Sequence, residues 1–218
     1  MKRHPLNSSL HLYEGRFYNE KPILHDKGPF VEEYLDSLEW VIEAALSDNP
    51  RVFGLRFELR FPNRIDLDSK VYTSKAITRF IESLKAKLAH NRQQAMRTRR
   101  YVHDTAVRYV WACEQNDSVN PHWHVAILLN WDAYRSLGRF ELGRDNMYNR
   151  LVSAWASALK MTEHEAVGLV HIPNNPVYEL HRDDQASIDA FFKRVSYLCK
   201  ADTKQYGNGR HGFGSSRR

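Results

Sequence analysis

From Pro29 to about Leu46 the apolar residues Val31, Leu35, Leu38, Val41, Ile42 and Ala45 recur every three or four positions, the spacing of one buried helix face. Asn49-Pro50 ends that helix, because proline lacks an amide hydrogen and restricts the residue before it. The period then changes. Over residues 51–61, Phe53, Leu55, Phe57, Leu59 and Phe61 alternate with Val52, Gly54, Arg56, Glu58 and Arg60, which predicts a half-buried strand stopped by Pro62. Ser74 is placed to cap a second helix whose stripe carries Ile77, Phe80, Ile81, Leu84 and Leu88. Val107 to Cys113 and Val125 to Leu129 read as strands. The turn formers of 115–121, ending in Asn120-Pro121, join them as an antiparallel hairpin.

Helices are expected near 131–137 and 144–160, and a last one from about Asp184 to Ala201. A short strand pair is expected within 167–180, broken by Pro173-Asn174-Asn175-Pro176. Helices and strands are interspersed but the central pairing is a hairpin, so the fold class is α+β with an antiparallel central sheet and helices packed on it. The first 28 residues lack a clear period and are expected to form an irregular N-terminal arm or lid. Residues 29–206 then make the domain, and the Gly-rich stretch 207–218 a flexible basic tail.

Composition narrows the class. A chain of 218 residues holds one domain with a substantial core. No apolar run approaches the ~18 residues of a membrane span. Met1-Lys2-Arg3-His4-Pro5 is not followed by an apolar stretch, so no secretory signal is expected. Cys113 and Cys199 form no CxxC pair, which fits a reducing cytoplasm. The net charge of +6 suits a polyanionic partner. It is concentrated in Lys85, Lys87, Arg92, Arg97, Arg99 and Arg100 on one helix and its exit, and in Lys193, Arg194, Lys200, Lys204, Arg210, Arg217 and Arg218 toward the C-terminus.

Two groups of residues carry candidate chemistry. Residues i and i+2 on a strand share a face, so His122 and His124 can reach one metal ion while Trp123 points into the core behind them. A hairpin turn would return Glu114 to the same place, and two imidazoles with one carboxylate leave positions open for water or a phosphate oxygen. Glu58 competes with Glu114 as the acidic ligand. Further on, Lys193, Tyr197, Lys200 and Lys204 fall on one stripe of the last helix. A tyrosine oxygen there could attack a phosphodiester, with the lysines offsetting transition-state charge. The Tyr-x-x-Lys spacing also occurs at Tyr18-Lys21 and Tyr72-Lys75, and Tyr206 beside the glycines is a rival nucleophile.

An acid, a turn, a His-hydrophobic-His strand and a downstream Tyr-x-x-Lys helix, in that order, resemble the HUH endonucleases, and within them the rolling-circle replication initiators. Residues 56–62, 109–115, 128–134 and 197–204 look like the inovirus replication-protein-like (YagK/YfjJ) family of phage, prophage and satellite elements. The first strand carries Arg56, Glu58 and Arg60 where initiators often have threonines. The resemblance implies an HUH nuclease, ferredoxin-like type of fold. It implies a metal-dependent nickase and strand transferase that starts rolling-circle replication through a phosphotyrosine. His122, His124 and Glu114 would be ligands of Mg²⁺ or Mn²⁺, although Zn²⁺ also suits the donors. Tyr197 would be the nucleophile, assisted by Lys200. Lys193, Lys204, Arg97, Arg99, Arg100 and Arg210 would contact single-stranded DNA at an origin. No phosphate-binding GxxxxGK[ST] loop is present, so helicase and polymerase would be host proteins. The alternatives are a non-catalytic DNA-binding or regulatory protein of the same fold, and a metal-dependent phosphodiesterase that uses water.

Overall fold

Both faces of the strand at 51–60 are covered in the computed structural model, which describes residues 2–62, 75–115, 120–202 and 212–217. In chain order the strands are β1 (Lys2–His4), β2 (Asn7–Tyr13), β3 (Phe17–Tyr18), β4 (Lys21–Pro22), β5 (Phe30–Val31), β6 (Arg51–Arg60), β7 (Arg108–Glu114), β8 (His122–Asn130), β9 (Val170–His171), β10 (Val177–His181) and β11 (Phe213–Ser215). The helices are α1 (Glu32–Asp48), α2 (Ala76–Met96), α3 (Met147–Leu159), α4 (Glu163–Ala166) and α5 (Gln185–Val195), and a 3-10 turn, Ser196–Cys199, follows α5 directly.

The fold is α+β. Its main sheet runs β10-β6-β8-β7-β11, with β9 also on β6, and every pairing is antiparallel. Among the described residues no helix is long and apolar enough to cross a membrane. One side of the sheet presents Phe53, Leu55, Phe57, Leu59, Trp123, Val125, Ile127 and Leu129 to α2 and α3. The other presents Val52, Val110, Ala112, Ala126 and Leu128 to α1 and α5. β6 is therefore an interior strand, because the polar half of its alternation lies beneath α5 and not in solvent. Alternation alone reports which residues share a face and says nothing of what covers it. A one-residue slip of β6 would drive Arg56 and Glu58 into the aromatic core on the α2/α3 side, which fixes the register. Gly54 lies under Phe191 of α5, where a Cβ would come within 2.6 Å of the ring.

Five sequence expectations are corrected. The N-terminal 28 residues are no loose arm. β1, β2 and β5 form a three-stranded sheet, β3 and β4 a hairpin, and Tyr18 and Ile23 are buried against α1 and α5. No helix forms at 131–137. The Asn130 carbonyl accepts from Ala133 and Tyr134, its side chain accepts from Asp132, and Gly138 has φ +77° with its Cα against Asn146, so the chain turns and straightens. β9 and β10 do not pair with each other but lie in succession along β6. The last helix ends at Val195 rather than near Ala201. Finally, the tail beyond residue 207 is not wholly flexible, since Phe213–Ser215 forms an edge strand on β7 and Phe213 stacks on Tyr34 at 4.2 Å. The expected cap Ser74 lies outside the described residues.

Candidate metal centre

The α1/α5 side of the sheet is apolar until the end where β8 begins, and there it turns polar. Across β6 and β8, Glu58 stands opposite His124 and Arg60 opposite His122, and across β7 and β8, Glu114 stands opposite His122. Directly paired residues share a face, so the register alone gathers three charged residues of β6 and β7 around the two histidines of the strand between them. Trp123, between the histidines, is buried on the opposite face against Phe61 and Trp155.

Glu114 is 1 % exposed and His124 4 %, with His122 partly open. One ligand atom from each lies within 4.8 Å of the others. His124 Nε2 is 3.1 Å from Glu114 Oε2, and its Nδ1 is 3.2 Å from Glu58 Oε1. Glu58 thus accepts from Nδ1–H and leaves Nε2 facing Glu114, the support that a metal-ligating imidazole needs on its far nitrogen. Two imidazoles and a carboxylate suit a divalent ion, so the buried group Glu114, His122 and His124 could hold one. Glu58 lies on the far side of His124 and holds its ring in place.

Burial pushes the His122 pKa down, reinforced by His124 and opposed by Glu114 and Glu58, so the ring favours the neutral form whose lone pair can coordinate. For Glu58, burial alone would raise the pKa. Hydrogen bonds from His124 and Arg60, with the charges of His124 and Arg56, outweigh it and hold the carboxyl well below the usual range.

The Tyr197 ring stands edge-on to the His124 ring, centroids 5.2 Å apart, and Lys200 Nζ is 4.3 Å from the Tyr197 centroid and 3.9 Å from Glu114 Oε1. Tyr197 is thus beside the histidines, on the 3-10 turn. The tightening occurs where the Ser196 hydroxyl donates to the Lys193 carbonyl. The N-terminal segment braces this turn from both ends. Leu24 N–H donates to Ser196 Oγ, Ala201 N–H to the Pro29 carbonyl, and Phe30 bridges Lys200.

The expected DNA-contacting residues are scattered. Lys193 is exposed on α5, while Arg56 lies over the Tyr197 ring and Arg194 is close enough to Arg56 for their charges to interact. Lys204, Tyr206 and Arg210 lie outside the described residues. α2 starts beside Phe57, where Phe80 packs at 5.8 Å, and its last turns approach Asn130, since Arg92 pairs with Asp104, whose carbonyl accepts from the Asn130 side chain. Arg97, Arg99 and Arg100 therefore sit on the opposite face and at the opposite end of β8 from His122, a strand length of about 26 Å. They are exposed, and Arg99 borders a groove of about 480 Å³ with Arg135 and Arg150.

The model of the YagK/YfjJ C-terminal domain matches residues 13–216. The chain belongs to that family. It is 30% identical over 197 residues to the uncharacterized protein YagK of Escherichia coli (strain K12), covering 87% of this chain and 94% of YagK. It is 31% identical over 201 residues to the uncharacterized protein YfjJ of the same organism, covering 87% and 96%. No solved structure matches significantly. The match takes in the whole of the Glu114, His122, His124 and Tyr197 group in this YagK/YfjJ domain.

Sequence reading missed two contributors. Arg56 was visible only as one of the three charges in the second half of an alternating strand, and an interior strand so charged is itself a signal. Arg194 precedes Tyr197 by three residues, the spacing that a 3-10 turn brings to one face.

Proposed function

We propose that this protein is an HUH-type, inovirus replication-protein-like nickase and strand transferase that cuts single-stranded DNA through a covalent tyrosyl intermediate, starting rolling-circle replication of a phage, prophage or satellite element. The observation that carries this reading is the convergence of Glu114, His122 and His124 within 4.8 Å, with the Tyr197 ring against His124. Water-using phosphodiesterases need no such tyrosine, and a purely DNA-binding protein gains nothing from a buried ligand set.

Glu114, His122 and His124 would hold the ion, Mg²⁺ or Mn²⁺ being the ions that best suit a phosphate-bearing substrate. When bound, the ion supplies Lewis-acid polarisation of the phosphodiester. Glu58 orients His124, and the burial of His124 keeps bulk water from its far nitrogen. The Tyr197 oxygen forms a bond to phosphorus as the bond to the 3′ oxygen breaks, and the phenolic proton ends on that oxygen. Reversal by a 3′ hydroxyl rejoins the strand and returns the proton to Tyr197. Lys200, against the same ring, offsets the charge that builds on phosphorus-bound oxygens. The exposed arginines at the end of α2 give a separate surface for the incoming DNA.

Labelled single strands tiled across the origin of the encoding element, incubated with Mn²⁺ and run on a denaturing gel, test this. A protein–DNA adduct that disappears in Tyr197→Phe and in His124→Ala supports the proposal. Cleavage that survives Tyr197→Phe transfers the role to water or Tyr206. No cleavage of any strand leaves the non-catalytic DNA-binding reading.

A further inference from the structure

Arg56 is the one arginine or lysine among the described residues that is fully buried, at 6 % exposure. Its Nη2 lies 3.1 Å from His124 Nδ1 and 3.5 Å from Glu58 Oε1. Glu58 is shared, since it also accepts from Arg60 at 2.8 Å and from His124. The Arg56 Nε–H has no acceptor among the described residues. Arg194 is in the same condition: Nη2 donates to the Asn174 carbonyl at 3.1 Å, and its buried Nε–H has no acceptor among the described residues. The two guanidiniums also repel. Burial first and Arg194 second draw the Arg56 pKa below its ordinary value.

A buried donor without an acceptor forfeits the hydration it had in water, and like charges held together add to that cost. Such an arrangement persists where an anion completes it. Phosphate oxygens supply acceptors for both Nε–H groups and charge for both guanidiniums. The location adds direction. Arg56 Cζ lies 5.5 Å and Lys200 Nζ 4.3 Å from the centroid of the one Tyr197 ring.

We infer that Arg56 and Arg194, with Lys200 against the same tyrosine, form an anion site for a phosphate of single-stranded nucleic acid. The site itself stands on the unmatched donors; that its phosphate is the one attacked by Tyr197 rests on the nickase reading.

The test is calorimetric titration of the full chain in EDTA at constant ionic strength, with inorganic phosphate in one arm and a short oligothymidylate in the other. Both are expected to bind, the oligonucleotide more tightly, and Arg194→Gln and Arg56→Met are each expected to weaken both by roughly tenfold or more, the scale of a lost charge-assisted fork. Arg56→Lys, which keeps the charge within the same space, stands in should the methionine variant fail to fold. It is expected to recover only part of the affinity, because the fork is lost. Wild-type protein that binds neither probe, or variants that bind both unchanged, overturns the site. Binding of phosphate alone overturns its assignment to nucleic acid. Anion binding lost in the variants of a protein that forms no tyrosyl adduct keeps the site and removes the nickase. Undiminished adduct formation in both arginine variants overturns the identification of this phosphate with the one attacked by Tyr197.

Discussion

Replacing Glu58 by glutamine keeps the side-chain shape and removes one charge from a group that serves three neighbours. The carboxylate is 9 % exposed and lies 2.8 Å from Arg60 Nη2, 3.2 Å from His124 Nδ1 and 3.5 Å from Arg56 Nη2. Arg60 is half exposed and falls back on water. Arg56 has no such recourse, and a buried cation stripped of its partner costs about 3–5 kcal/mol. At about 2–4 °C per kcal/mol for a domain of this size, the Tm of Glu58→Gln should fall by roughly 6–20 °C. The second effect falls on the metal ligand. With the far nitrogen of His124 no longer held by a carboxylate, Mn²⁺ affinity should drop by about 10- to 100-fold. The two effects separate in the double variant Arg56→Met/Glu58→Gln. Removing both charges restores most of the stability, because nothing ionic is left buried at the pair. It does not restore the orientation of His124, so Mn²⁺ still binds weakly. Thermal melts and Mn²⁺ calorimetry on the three proteins read this directly. A Glu58→Gln protein with Tm within about 2 °C of wild type and unchanged Mn²⁺ affinity refutes the assigned roles.

Gly54→Ala places a Cβ 2.6 Å from Phe191 Cε2 and 2.9 Å from Leu180 Cδ1, so it should destabilise by about 1–3 kcal/mol despite the usual gain of alanine over glycine; an unchanged Tm would show that α5 does not press on β6 there. Phe213→Ala removes the ring stacked on Tyr34 at 4.2 Å and loosens the edge strand on β7, with an expected loss of about 1–3 kcal/mol in urea unfolding; no change in midpoint would mean the C-terminal strand contributes nothing. Glu33 accepts the His11 amide at 3.0 Å and its ring nitrogen at 2.7 Å, and although burial alone would raise its pKa these bonds hold it below the usual value. Its contribution is therefore present above the unfolded carboxylate pKa of about 4.3 and lost as pH falls through the folded value. Glu33→Gln should flatten the fall in stability below that pH, and an equal slope in both proteins would contradict the assignment.

The elements whose hydrophobic period was strong were legible from residues alone. α1, β6 and α2 lie where their stripes placed them, and the His122/His124 pair with Glu114 was legible because strand period and hairpin turn are local geometry. Tyr197 was named on the assumption of a continuous helix, and it reaches His124 through a 3-10 turn that a different contact creates.

What the sequence by itself determined is this local part: which residues share a face, where a strand turns, and which side chains can donate a lone pair or an oxygen. What only the tertiary structure decided is what covers each face. Arg56 and Glu58 read as the wet side of a half-buried strand until α5 is laid over them, and burial then turns two surface charges into a support for His124 and an unmatched guanidinium. The N-terminal segment showed no period because its strands are short and its purpose lies elsewhere in the chain. It holds Lys200 and Ala201 through backbone bonds, which any side chain permits and no local pattern records, and reaches Ser196 through Leu24 N–H to its hydroxyl.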